Sequence, residues 1–138
     1  MKILKIYTAS SWRNSRYPEV VRAIKEAGFE VYDFQNPWDK GAAFNWSQID
    51  SNWESWTIEQ FIGALKHPLA RRGFASDKAG MDWADICVLI LPSGKSSHIE
   101  AGYFAGQGKP VHILLDGTRP ELTYSIGICH PTIESLIK

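Results

Sequence analysis

The chain has 138 residues, room for one domain (1–138) with a substantial core, and its 15 Lys and Arg balance 15 Asp and Glu. Nucleic-acid binders and proteins held on anionic membranes usually carry a basic excess, so the balance argues against both classes of partner. No apolar run approaches the length of a bilayer span, and the opening MKILKIYTAS has neither a long apolar core nor a cleavage site. Cys87 and Cys129 have no metal spacing, and none of the four histidines (His67, His98, His112, His130) forms a ligand pair, so no metal or other cofactor is implied. A reduced cytoplasmic setting is expected, with Cys87 a small buried hydrophobe.

Residues 3–8 read as a short apolar strand and 9–15 as its polar exit loop. Residues 17–27 then form an amphipathic helix: Val20, Val21, Ile24 and Ala27 recur at helical spacing, Pro18 suits the first turn, and Gly28 caps the end. An alternating strand follows over 29–34, so the chain opens β-α-β, a unit whose strands run parallel. Residues 36–52 are polar, aromatic and turn-rich; four of the six tryptophans lie between Trp38 and Trp56, which predicts an ordered loop that serves either as a lid or as an interface. Helices are expected over 57–66, ended by Pro68, and over 70–83, with a weak point at Gly73. Residues 86–91 are a continuous aliphatic run, the mark of a central strand buried on both faces. A helix over 97–107, a strand over 110–115 and helical pieces from Glu121 onward complete the chain. The alternation predicts a flavodoxin-like, doubly wound α/β sandwich with four to five parallel strands and helices on both faces.

The stretch ADICVLILPSGKSSHIEAGYFAGQGKPVHI carries the chemistry. It reads as buried strand, Gly/Ser loop, helix and second buried strand, with Glu100 in the first turn of the helix. A helix start offers free N–H groups and a positive dipole end, which suits phosphate or sugar oxygens. An acid placed there, beyond the carboxyl end of a parallel strand, stands where open α/β sheets bind ligands. A solvated helix-start acid is the plain alternative, but Ile99, Ala101, Tyr103, Phe104 and Ala105 make this helix largely buried. In the loop, Gly94, Lys95, Ser96 and Ser97 suit phosphate or ribose, although the spacing is not that of a Walker loop; the plainer role for Ser96 or Ser97 is N-cap. Ser10, Ser11 and Trp12 leave the first strand at the same sheet edge, where serines could hold substrate oxygens and Trp12 could stack on a base, or all three could simply form a turn. Asp77 faces either the cleft mouth or solvent. Asp85 suits a turn. His98 lies close enough to Glu100 to share a site.

The run YTASSWRN after the first strand, then Asp77, then MDWADICVLILPSGKSSHIEAGYFAGQGKPVHILL resembles the nucleoside 2-deoxyribosyltransferase-like superfamily. The likeness covers most of the chain in outline and is specific over about 40 residues. It implies that Glu100, in Glu-x-Gly-Tyr, is a nucleophile that attacks the anomeric carbon of a nucleoside or nucleotide and expels the base. It further implies that Tyr7 orients that carboxylate, that Asp77 lies near base or sugar, and that Ser97 lies beside ribose or phosphate. It implies a homodimer or higher homo-oligomer whose sites borrow a neighbour's residues. The segment 36–73, with Trp46, Trp53, Trp56 and the run HPLARRGF, departs from the family pattern and is expected to remodel the base pocket. SGKSSHIE departs too, and its Lys95 and serines lean toward a phosphorylated substrate. The run Ser96-Ser97-His98-Ile99-Glu100 is also compatible with TIR-like domains, which implies NAD glycohydrolase or cyclase activity in signalling or defence as an alternative. A non-catalytic nucleotide-binding or interaction domain is the alternative from another class.

Overall fold

The computed structural model describes residues 2–117 and 119–137. Five strands form one parallel sheet: β1 (Lys5–Ala9), β2 (Glu30–Asp33), β3 (Ile86–Ile90), β4 (Val111–Leu114) and β5 (Ile128–His130). Their order is β2-β1-β3-β4-β5, the flavodoxin-like arrangement, with Tyr7 opposite Tyr32 on one side and Cys87 on the other. Five helices accompany them: α1 (Tyr17–Glu26), α2 (Ile58–Ala64), α3 (Pro68–Trp83), α4 (Lys95–Gly106) and α5 (Ile133–Leu136).

The sheet is apolar on both faces because the strands alternate between two cores. Tyr7, Tyr32, Cys87, Leu89, Val111 and Ile113 pack with Met81 of α3 and Phe104 of α4. Ile6, Val88, Ile90 and Leu114 pack on the other face against Tyr17, Val20, Val21 and Ile24 of α1 and against Ile133 and Leu136 of α5. None of the described helices is long and apolar enough to cross a membrane.

Several boundaries differ from the sequence reading. Pro68 opens α3 rather than ending the helix before it; the missing N–H costs nothing at a first turn, and the His67 Nδ1 accepts the Leu69 N–H at 3.0 Å. α3 runs unbroken through Gly73, where a side chain would press on Phe44 Cβ at 3.0 Å. α4 starts at Lys95 with Gly94 as its N-cap, so neither Ser96 nor Ser97 caps it; the Ser97 hydroxyl donates back to the Gly94 carbonyl at 2.9 Å. The segment after Glu121 is not all helical. A 3-10 turn (Leu122–Ile126) leads into β5, which pairs with β4 before the short α5. Gly127 permits this, since a Cβ there would stand 2.7 Å from the Val111 carbonyl oxygen. Segment 36–57 is built from three 3-10 turns, Lys40–Ala42, Trp46–Gln48 and Trp53–Ser55.

Candidate active site

β1 and α4 meet at a short contact. Tyr7, 1% exposed, donates its phenol proton to Glu100 Oε2 at 2.5 Å. The Tyr7 ring lies parallel to the Tyr32 ring, centroids 5.4 Å apart, and tilts against Phe104 at 5.6 Å. Tyr32 in turn donates to Asp77 Oδ1 at 3.0 Å and shares a 2.7 Å hydrogen bond with the Ser76 hydroxyl. Glu100 and Asp77 are therefore joined through two stacked tyrosines, each pinning one carboxylate. α3 approaches Tyr32 this closely because residue 80 is glycine; a Cβ there would stand 2.7 Å from a ring carbon.

Burial raises the proton affinity of both acids. Glu100 is pushed up to about 7, chiefly by desolvation, with the Tyr7 hydrogen bond opposing and the Asp77 charge adding. Asp77 is pushed up to about 6 by desolvation, opposed by Tyr32. The Tyr7 phenol, buried and facing Glu100, is raised far above its ordinary value and stays a donor.

Both carboxylates border one cavity of about 750 Å³ at the carboxyl edge of the sheet. Trp12 and Phe34 from the ends of β1 and β2, Phe44 and Trp46 from segment 36–57, Phe74 of α3, and Ser96 and Ile99 of α4 line it as well. Segment 36–57 is held over α3 by Asp39, which accepts from Arg72 Nε at 2.7 Å and Nη2 at 2.5 Å, and by Phe44 resting on Gly73. Trp46 is braced edge-on by Phe44 (4.8 Å) and Trp56 (5.7 Å), and Trp56 donates to Asp50 at 2.8 Å.

Of the residues singled out in the sequence, Trp12, Asp77, Ser96 and Glu100 line the cavity, and Tyr7 lies directly behind Glu100. Ser10 and Ser97 do not line it. The Ser10 hydroxyl donates to the Ile90 carbonyl at 2.8 Å and accepts from Asn14 at 3.0 Å, and Ser97 is 1% exposed. Gly94 lines a separate depression of about 600 Å³ with Ser93, Lys95, His98, Arg119, Glu121, Thr123 and Tyr124, beyond the first turn of α4. There the Ser93 hydroxyl is buried without a hydrogen-bond partner among the described residues. His98 is held between the Gly94 carbonyl (2.7 Å) and the Tyr124 hydroxyl (2.8 Å) rather than by Glu100. Among the described residues no group of three His, Cys, Asp or Glu could hold a metal ion.

Sequence reasoning did not single out Tyr32 or Phe34, marked Arg71 and Phe74 only within the run HPLARRGF, and read Ile99 as part of a buried helix face, whereas it is exposed at the cavity. For Tyr32 the strand alternation signals burial but not its partner. For Arg71 and Phe74 the signal is the run HPLARRGF, which puts them on one side of α3 with Asp77.

No protein-family profile matches the chain, and no curated protein does. Solved structures are similar across almost its whole length. The 2-deoxyribosyltransferase of Bacillus psychrosaccharolyticus superposes with a TM-score of 0.62 at 19% identity, covering 96% of this chain and 90% of that one. A conserved protein of Enterococcus faecalis V583 gives 0.63 at 17%, covering 99% and 96%. The CMP N-glycosidase of Clostridium botulinum gives 0.52 at 14%, covering 96% and 95%. The chain thus shares its flavodoxin-like α/β fold with a 2-deoxyribosyltransferase and a CMP N-glycosidase.

Proposed function

We propose that this protein cleaves or exchanges the N-glycosidic bond of a nucleoside or nucleotide, with Glu100 as nucleophile. The observation that carries the reading is the Tyr7–Glu100 contact at the wall of a cavity that Asp77 also borders. Two neighbours of the same fold are a 2-deoxyribosyltransferase and a CMP N-glycosidase, which supports this bond class.

Tyr7 holds one oxygen of Glu100, so the other is free to attack the anomeric carbon. As the C1′–N bond breaks, its electron pair leaves with the base, and positive charge builds on the sugar beside a carboxylate in a low-dielectric wall. The Asp77 carboxyl, its proton affinity raised by burial, gives the leaving base its proton. Glu100 closes an ester with C1′. Water or a second base, losing its proton to Asp77, then attacks C1′ and frees Glu100. Trp12 and Phe34 offer faces for stacking the base.

Ser96, in the first turn of α4, borders the cavity, and the free N–H groups of a helix start suit a phosphate, which supports a phosphorylated substrate. The test is chromatographic detection of free base from deoxynucleosides, nucleoside monophosphates and NAD, with Glu100→Gln in parallel. Release from a nucleoside or its monophosphate that vanishes in the variant supports the reading. Nicotinamide release alone supports the TIR-like alternative instead. No release from any substrate by the folded protein overturns it.

A further inference from the structure

The cavity is chemically divided along α3. Asp77, Lys78 and Met81 lie at the Glu100 end, while Ala70 lies seven residues earlier, about 10 Å away along the helix axis at 1.5 Å per residue. At that earlier level the walls are Phe44, Trp46, Leu65, Ala70 and Phe74, and Arg71, exposed to solvent, is the one charged lining residue there. A purine measured from its glycosidic nitrogen to its far edge is shorter than this span. A bare base seated on Asp77 would leave the far end unfilled. Its polar edge would also meet hydrocarbon, and an unpaired polar edge in an apolar pocket is costly.

The far end also carries apolar surface in excess. Phe74 is 65% exposed and Leu65 52%. Large apolar side chains gathered at the rim of a cavity mark a surface that an apolar ligand group covers. Segment 36–57 is pinned to α3 through Asp39–Arg72 and Phe44–Gly73, so this end is preformed rather than assembled on binding.

We propose that the preferred substrate is an N-glycoside whose base carries a bulky apolar substituent, with the sugar at Glu100 and the substituent between Phe44, Trp46 and Phe74. This rests on the glycosidic reading above, and the experiment separates the two. Calorimetry measures binding of adenine against N6-benzyladenine and of uracil against 5-benzyluracil, which needs no catalysis. Turnover is then compared for the matching nucleosides and monophosphates, with wild type, Phe74→Gln and Leu65→Gln.

The expected result is binding about tenfold or more tighter for at least one substituted base, and kcat/KM higher by a similar factor through KM. Both ratios should fall toward one in Phe74→Gln and Leu65→Gln. Phe74 and Leu65 are exposed, so the variants fold, which circular dichroism checks. Turnover without preference, or equal binding within both pairs, overturns the substrate class and leaves the glycosidic reading standing. Preferential binding without turnover of any substrate upholds the apolar subsite and overturns the glycosidic reading.

Discussion

At Glu100, burial and hydrogen bonding pull in opposite directions, and burial dominates. A carboxylate that is half-hidden, hydrogen-bonded by one phenol and close to a second acid keeps its proton to about 7 instead of 4.5. In the unfolded chain it loses the proton earlier, so the folded state binds it more tightly. The stability from this group is therefore complete below about pH 4.5 and is lost as pH rises through about 7. Asp77 acts in the same sense between 3.8 and about 6. Glu100→Gln removes the ionisation but keeps an acceptor for Tyr7. It should be more stable than wild type by about 1–3 kcal/mol at pH 8 and no more stable at pH 4, measured by denaturant unfolding at both. In the proposed reaction Glu100 must be ionised while Asp77 keeps its proton, although Glu100 is the weaker acid. The pair titrates as a unit, so the pH–rate profile should be a bell with limbs near 6 and 7. Tyr7→Phe leaves the carboxylate without its donor. It should lower kcat about 10–100-fold, as expected for a lost hydrogen bond to a charged group, and move the alkaline limb, near 7, upward while the limb near 6 stays.

Among the elements, α3 connects fold to site. Gly80 lets it lie on the Tyr32 ring, Gly73 seats Phe44, Arg72 anchors Asp39, and Asp77 reaches the cavity. Gly80→Ala should destabilise the protein by about 1–3 kcal/mol, because the buried ring must shift, and should reduce activity by moving Tyr32 off Asp77. Denaturant titration and base release check the two effects. Arg72→Ala frees an exposed anchor, so melting should change little while amide exchange across 39–48 rises and KM increases. Much of this scale is legible in the sequence: the aliphatic run 86–91 as a central strand, a helix over 57–66, and α4 beyond a Gly/Ser loop. β5 is not, because three residues that are mostly exposed show no alternation and become a strand by pairing with β4. The tyrosine link between Asp77 and Glu100 is not either. It depends on which strands adjoin, and spacing along the chain carries no such information.

For the whole molecule, the strand order decides where chemistry can occur. β1 lies between β2 and β3, and the chain leaves β1 and β3 in opposite directions, which opens a crevice at their carboxyl ends. Trp12, Phe34 and Ser96 follow β1, β2 and β3 into that crevice, so an acid early in α4 faces a cavity. Beside it, Arg16 closes the sheet edge: Nε donates to Leu91 O at 2.8 Å, and Nη2 donates to Leu115 O at 2.8 Å and Leu114 O at 3.3 Å. Arg16→Met leaves these carbonyls without that donor and should lower the melting temperature by about 3–9 °C by calorimetry. The proposed mechanism requires Glu100 to become covalently attached to the sugar. It is tested most directly by intact-mass spectrometry of protein quenched while turning over whichever substrate releases base, followed by peptide mapping. The expected result is a mass increase of one sugar or sugar phosphate, mapped to the peptide that holds Glu100 and absent in Glu100→Gln. Base release that persists in Glu100→Gln, with no adduct on the wild type, would contradict it.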